Sequence, residues 1–327
     1  MRLLRGRRRR LLSVLVATAL GVVGLATAGP AEAMSSAPSY SGDFPDPFLL
    51  TPGASATTLY WAYSTGSAGR NLQVMSSPDL TTWSSVTDPL PRLPSWASPG
   101  LTWAPSVLRR TSTYLLYYTV RDTAYGRQCI SVASATTPGG PFSDASSGPL
   151  VCQLKHGGSI DPDAFVAADG TAYLVWKSDD NALGRPTSLW SARLSSTGRA
   201  LVGTPTRLLT QDAAWQAPAV EGPSMVAVGG RTFLFYGANR WDSSKAAIGY
   251  AVCSGPLGPC SNASTSGPWL ATHGAAVGPS GPAVLTTAAG TRLAYHAWTG
   301  GVGYASGGVR SLWIDTLGFA SGVPFVN

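Results

Sequence analysis

Charge is scarce in this chain: only 12% of its 327 residues are Asp, Glu, Lys or Arg. Histidine occurs three times, and cysteine and methionine four times each. None of the cysteines forms a Cys-x-x-Cys pair, which argues against a zinc ribbon or a thioredoxin-type redox centre. His-Glu-x-x-His, Gly-x-Ser-x-Gly and Walker-type phosphate loops are also missing, so zinc-protease, serine-hydrolase and nucleotide chemistry have no sequence support. The apolar run from Leu11 to about Leu25 is shorter than the ~20 residues that span a bilayer. What the chain has in quantity is Gly (38) and Pro (25), with 11 Trp and 12 Tyr. Gly and Pro interrupt long helices, while aromatic residues favour strands, so the composition predicts an all-β protein of short strands and tight turns.

The net charge of +7 suggests a nucleic-acid partner until its location is considered. Arg2, Arg5, Arg7, Arg8, Arg9 and Arg10 precede the apolar run, and Ala31-Glu32-Ala33 follows it. A basic start, an apolar stretch and a small-residue site make residues 1–33 read as a secretion signal, cleaved after Ala33. Arg8-Arg9-Arg10-Leu11-Leu12 suits a twin-arginine route as well as the general one. Without those residues 17 basic side chains face 15 acidic ones, a net charge of +2. The expected product is secreted and extracellular, with no nucleic-acid partner and no membrane association. In that compartment the four cysteines are expected as disulfides, Cys129 with Cys152 and Cys253 with Cys260, each closing a short loop.

A fivefold repeat organises residues 34–327, which are expected to form a single domain. Asp-Pro-Phe-Leu-Leu from Asp46, Ala-Pro-Ser-Val-Leu from Ala104, Asp-Pro-Asp-Ala-Phe from Asp161, Glu-Gly-Pro-Ser-Met from Glu221 and Gly-Pro-Ala-Val-Leu from Gly281 each lead through a turn into an aromatic strand. Their prolines, Pro47, Pro105, Pro162, Pro223 and Pro282, recur at intervals of about 57 to 61 residues. One such unit is too small to bury its own faces; five stacked radially bury them, which predicts a five-bladed β-propeller. Ser188–Leu194 and Ala247–Cys253 are expected as strands of blades 3 and 4, and 58–63 as one of blade 1.

In a propeller the first strand of each blade lines the central channel, so residues just before the repeated prolines meet at its mouth. Three of these five positions are acidic: Asp46 and Asp161 immediately before the proline, and Glu221 one residue further back. Singly, each reads as a solvated turn or strand end. Jointly, in one register of an independent repeat, they form a cluster of carboxylates, the apparatus of glycoside cleavage. Asp163 rivals Asp161 but is expected to point away from the channel.

Phe44-Pro45-Asp46-Pro47, Trp103-Ala104-Pro105-Ser106-Val107, Ile160-Asp161-Pro162-Asp163, Val220-Glu221-Gly222-Pro223 and Tyr295-His296-Ala297-Trp298 together resemble glycoside hydrolase family 43. That resemblance implies a five-bladed propeller acting with inversion on arabinose- and xylose-containing plant polysaccharides. By motif, Asp46 corresponds to the general base, Glu221 to the general acid, and Asp161 to the carboxylate that orients the acid and raises its pKa. It also implies that His296 approaches the channel and that Arg310 lies near the sugar; a core histidine and a surface salt bridge are the alternatives. Trp103 is either a cavity wall or a packed core residue. Many family members carry a histidine after Gly-Pro in blade 5, where this chain has Gly278-Pro279-Ser280. No cofactor is required on this reading, and a calcium ion in the central channel is left open. The expected substrate is an oligo- or polysaccharide, and the expected protein a monomeric α-L-arabinofuranosidase or arabinan-degrading enzyme. A β-xylosidase and a non-catalytic sugar-binding propeller are the alternatives.

Overall fold

The computed structural model of the chain describes residues 33–51, 59–287 and 289–327. The expected leader, apart from Ala33, lies outside them, as does Thr58 at the start of one expected strand. Five antiparallel sheets follow one another along the chain. The first holds β1 (Phe48–Leu50), β2 (Tyr60–Thr65) and β3 (Leu72–Ser77). The second holds β4 (Ala97–Arg110), β5 (Thr113–Asp122) and β6 (Arg127–Ala135). Blade 3 comprises β7 (Ser159–Val166), β8 (Ala172–Ser178), β9 (Ser188–Leu194) and β10 (Leu201–Thr210). Blade 4 comprises β11 (Val220–Val228), β12 (Arg231–Ala238), β13 (Ala247–Cys253) and β14 (Cys260–Asn262). Blade 5 ends the chain with β15 (Val277–Thr287), β16 (Gly290–Thr299), β17 (Val309–Ala320) and β18 (Val323–Val326).

First strands touch in the cyclic order β1, β4, β7, β11, β15 and back to β1, which closes the ring as a five-bladed β-propeller. In blades 1 and 2 the outermost position is reduced to isolated bridges, Val74 with Thr87 in blade 1, and Ile130 with Val151 and Ser134 with Ser143 in blade 2. The core lies between blades. Leu116, Tyr118 and Val120 of blade 2 pack with Tyr63, Leu72 and Val74 of blade 1, and Phe235 of blade 4 with Tyr295 and Trp313 of blade 5. Such faces have no partner within one repeat, so a single blade would leave them in water.

Both expected disulfides are present. Cys253 and Cys260 face each other across the β13–β14 pair, and Cys129 of β6 joins Cys152 beside the bridge of Ile130 with Val151. Among the described residues no helix is long and apolar enough to cross a membrane.

Candidate active site

Four inner strands carry one extra residue at the repeated proline. Trp103 pairs with Thr119 and Ser106 with Tyr117, so three steps on β4 answer two on β5. The same bulge separates Ile160 from Asp163, Glu221 from Ser224, and Ser280 from Ala283. Blade 1 repeats it, because Thr65 N–H donates to the Pro45 carbonyl at 3.0 Å while Tyr63 pairs with Phe48. The residue before each proline is left-handed, with φ of 52°, 44°, 55°, 52° and 59° at Asp46, Ala104, Asp161, Gly222 and Gly281. Residues preceding proline favour extended backbone, so this fivefold kink is held by the surrounding sheet. It gathers the five X-Pro pairs around one small void on the axis. Asp163 lines that void too, contrary to expectation: residues two apart on a strand share a face, and the bulge keeps Asp163 beside Asp161.

A larger cavity of about 660 Å³ shares Asp46, Asp161, Gly222 and Gly281 with the void. It is lined by the whole acid trio together with Trp103 and Arg310. Asp161 is in its lining and Asp163 is not. Trp103 is a cavity wall and not a buried core residue. His296 stands behind Asp46, 1% exposed.

Asp46 is held from three sides. Its backbone N–H donates to His296 Nδ1 at 3.0 Å, and its Oδ2 accepts from the Thr65 hydroxyl at 2.5 Å. Arg310 Nη1 is 3.7 Å from Oδ1. Burial would raise this carboxyl, but the Arg310 guanidinium, then His296 and the Thr65 hydroxyl, together outweigh burial and hold it below its ordinary value. Arg310 is no surface residue. It is 9% exposed, with its guanidinium 4.8 Å from the ring centre of Trp241 and 5.6 Å from that of Tyr304, and its Nε donates to Tyr304 Oη at 3.0 Å.

Glu221 and Asp161 experience the opposite balance. Burial pushes Glu221 upward, Lys177 pulls against it, and the negative charge of Asp46 adds to the rise. Asp161 is pushed up to about 7, by burial first, with Lys177 opposing and Glu221 and Asp46 reinforcing. Two half-buried carboxyls lining one cavity, each raising the other's cost of ionisation, hold one proton more readily than none. Gly222 N–H donates to Asp161 Oδ2 at 3.0 Å, a bond that favours its ionised form.

Sequence reasoning missed Lys177, Asp179, Trp241 and Tyr304, all of which line the cavity. The last two sit between strands, outside the repeated motif. Lys177 alone gave a signal: a lysine at the end of the apolar strand β8.

The channel also tests the expectation of calcium. An amide N–H can only donate, so His296 Nδ1 accepts and the ring proton sits on Nε2. Burial pushes this imidazole down to about 3, so it is neutral at working pH. Nε2 is buried without a hydrogen-bond partner among the described residues. A protonated Nε2 has no lone pair to give a cation, so the donor set does not fit calcium held directly by the imidazole.

The geometry can be set beside known proteins. Over 221 residues the chain is 30% identical to the beta-D-galactofuranosidase xynD of Aspergillus niger, a match covering 62% of this chain and 60% of that relative's length. It is 27% identical over 328 aligned positions to a probable arabinan endo-1,5-alpha-L-arabinosidase A of Aspergillus clavatus, covering 91% and 96% of the two chains. The crystal structure of a thermostable family-43 glycoside hydrolase superposes with a TM-score of 0.76 at 26% identity, covering 87% of this chain and 93% of the other. The family description for glycosyl hydrolases family 43 fits residues 36–324, which take in all five bulged strands and the acids they carry, so the chain belongs to that family.

Proposed function

We propose that the chain is an exported, inverting glycosidase that cleaves arabinofuranosyl bonds in plant cell-wall polysaccharides. The observation that carries this is the opposite displacement of two carboxyls in one cavity: Asp46 is held ionised, as a base must be, and Glu221 is biased toward its protonated form, as an acid must be. Glu221 gives its proton to the glycosidic oxygen as the bond to the anomeric carbon breaks. Asp46 takes a proton from the water that attacks the opposite face, and Asp161 keeps the acid protonated between turnovers. Trp103 and Arg310 bound the sugar, and His296 fixes the backbone of Asp46. No cofactor enters these steps.

The choice of a five-membered sugar ring rests on the relatives. A β-D-galactofuranoside and an α-L-arabinofuranoside share ring configuration and differ in the exocyclic arm; two of the curated relatives are named for these two sugars, and another is named a xylosidase/arabinosidase. Export is supported by the composition of residues 1–33 and by both disulfides. Assaying nitrophenyl α-L-arabinofuranoside, β-D-galactofuranoside and β-D-xyloside, with the product anomer followed by NMR, tests the reading. Turnover of the arabinofuranoside with inverted product is expected, and Glu221→Gln abolishes turnover on arabinan. A preference for the xyloside overturns the sugar assignment, and a retained anomer overturns the role of Asp46.

A further inference from the structure

Lys177 has no part in the proton transfers above, yet it is 1% exposed and lines the cavity at the end of β8. Register places it opposite Ile160, next to Asp161. Its ammonium is 3.5 Å from Glu221 Oε2 and 3.6 Å from Asp179 Oδ1. Both distances exceed the ~2.8 Å of a tight charge-assisted hydrogen bond, so its donors are only loosely engaged. A buried cation is costly unless something returns that cost. Burial favours the neutral amine, but Asp161 and Asp179, with Glu221 whenever that carboxyl is ionised, pull the other way and hold the ammonium above its ordinary pKa.

We propose that Lys177 is a positioning residue that acts through Glu221, stabilising the carboxylate left there when the leaving oxygen takes the proton. The inference rests on Glu221 being the general acid. Before transfer, Lys177 faces a neutral carboxyl. As the glycosidic bond breaks, its electron pair goes to the leaving oxygen, the Glu221 proton follows, and negative charge appears on Glu221 beside the ammonium. The attraction therefore grows along the reaction path, which makes it stabilise the transition state more than the ground state. The other charges facing Glu221 are Asp161, Asp46 and Arg310. Asp161 favours the protonated acid at rest, and Lys177 favours its release of the proton.

The test uses Lys177→Met, Lys177→Gln and Lys177→Arg, each alone and combined with Glu221→Gln, on two arabinofuranosides. One carries a dinitrophenolate, which departs without a proton, and the other an alkyl alcohol, which needs one. Removing the charge is expected to lower kcat about 100-fold for the alkyl substrate and only a few-fold for the dinitrophenyl one. The basic limb of the pH profile moves to higher pH, because a cation that lowered the acid's pKa is gone. Lys177→Arg keeps the wild-type leaving-group dependence. In the Glu221→Gln background, loss of Lys177 costs nothing further. Should Lys177→Met fail to fold, Lys177→Gln carries the comparison. Equal losses on both substrates, or losses that add to those of Glu221→Gln, overturn the proposal. If Glu221→Gln itself shows no leaving-group dependence, the general-acid reading fails first. If it does and Lys177→Met does not, only the role of Lys177 fails.

Discussion

Asp46, Asp161 and Glu221 are chemically similar side chains made different by what stands next to each. On the proposed roles, activity needs Asp46 ionised and Glu221 protonated, so it should be bell-shaped in pH. The acid limb lies below the ordinary range of carboxylates, because Asp46 is held down, and the basic limb lies above it, because Glu221 is pushed up. Asp161→Asn removes a negative charge beside the acid, so it should lower kcat and move the basic limb to lower pH, opposite in sign to loss of Lys177. A full pH profile of kcat/KM for both variants checks the pair. Asp163 makes a separate prediction about stability. Its carboxyl is pushed from 3.8 up to about 7 by burial, against the pull of the Met225 N–H that donates to it. Between those values the folded chain keeps a proton that the unfolded chain has lost. Its stabilising share is therefore complete below the lower value and falls as pH rises through the higher one. Asp163→Asn retains the acceptor for Met225 and cannot ionise. It should remove up to about 4 kcal/mol of the stability difference between acidic and alkaline pH, read from urea unfolding at both. An unchanged difference would assign it to other groups.

The recurring element is the bulged inner strand, and its tolerance differs from blade to blade. Gly281 is left-handed, and a Cβ there would lie 2.8 Å from His296 Nδ1 and 3.2 Å from Asp46 Cα. Gly281→Ala should therefore cost more than the ~1–2 kcal/mol of the backbone conformation alone, and should lower activity by displacing the imidazole that holds Asp46. Ala104 has the same conformation without a carboxylate, so Ala104→Gly should be neutral or stabilise by about 1 kcal/mol. Thermal melts of both variants with residual kcat distinguish these outcomes. The bulge also explains the uneven spacing of the acids. In blade 4 the strained position belongs to Gly222, and the acid stands one residue earlier on a side chain one methylene longer. The prolines and the acids were legible in sequence because the repeat fixes their register. The positive φ was not, since the residue before a proline is ordinarily extended. Asp163 was expected on the wrong side although it stands two residues from Asp161, a spacing that shares a strand face.

At the scale of the whole ring, the cavity depends on blades distant in sequence staying in contact. Trp241 and Tyr304 were not legible because nothing local marks them, and Lys177 was marked only by standing at the end of an apolar strand. They face the acids only once blades 3, 4 and 5 are arranged around one axis. Blade 1 comes from the start of the described chain and blade 5 from its end, so their junction is where the ring must be held shut. The segment before β1 does this. Ser35 N–H donates to Asp315 Oδ1 at 2.6 Å, Tyr40 exchanges backbone bonds of 3.2 and 3.0 Å with Leu312, and Phe44 N–H donates to the Arg310 carbonyl at 2.9 Å. Phe44 is wholly buried and packs in one cluster with Leu49 and Met75 of blade 1 and Ala283 and Leu312 of blade 5. The strand that presents Arg310 to Asp46 is thus tied to the segment leading into Asp46. Phe44→Ala should cost about 3–5 kcal/mol by leaving a cavity at this junction. Removing residues 34–41 deletes the bonds of Ser35 and Tyr40 while sparing Phe44 and its bond to the Arg310 carbonyl. That truncation should lower the melting temperature and reduce kcat/KM even at temperatures where the protein remains folded, because the strand that presents Arg310 is held at fewer points. Circular dichroism melts beside kcat/KM at 25 °C separate the two effects: a truncated protein that melts early but turns over normally would show that the latch secures the ring without aligning the site.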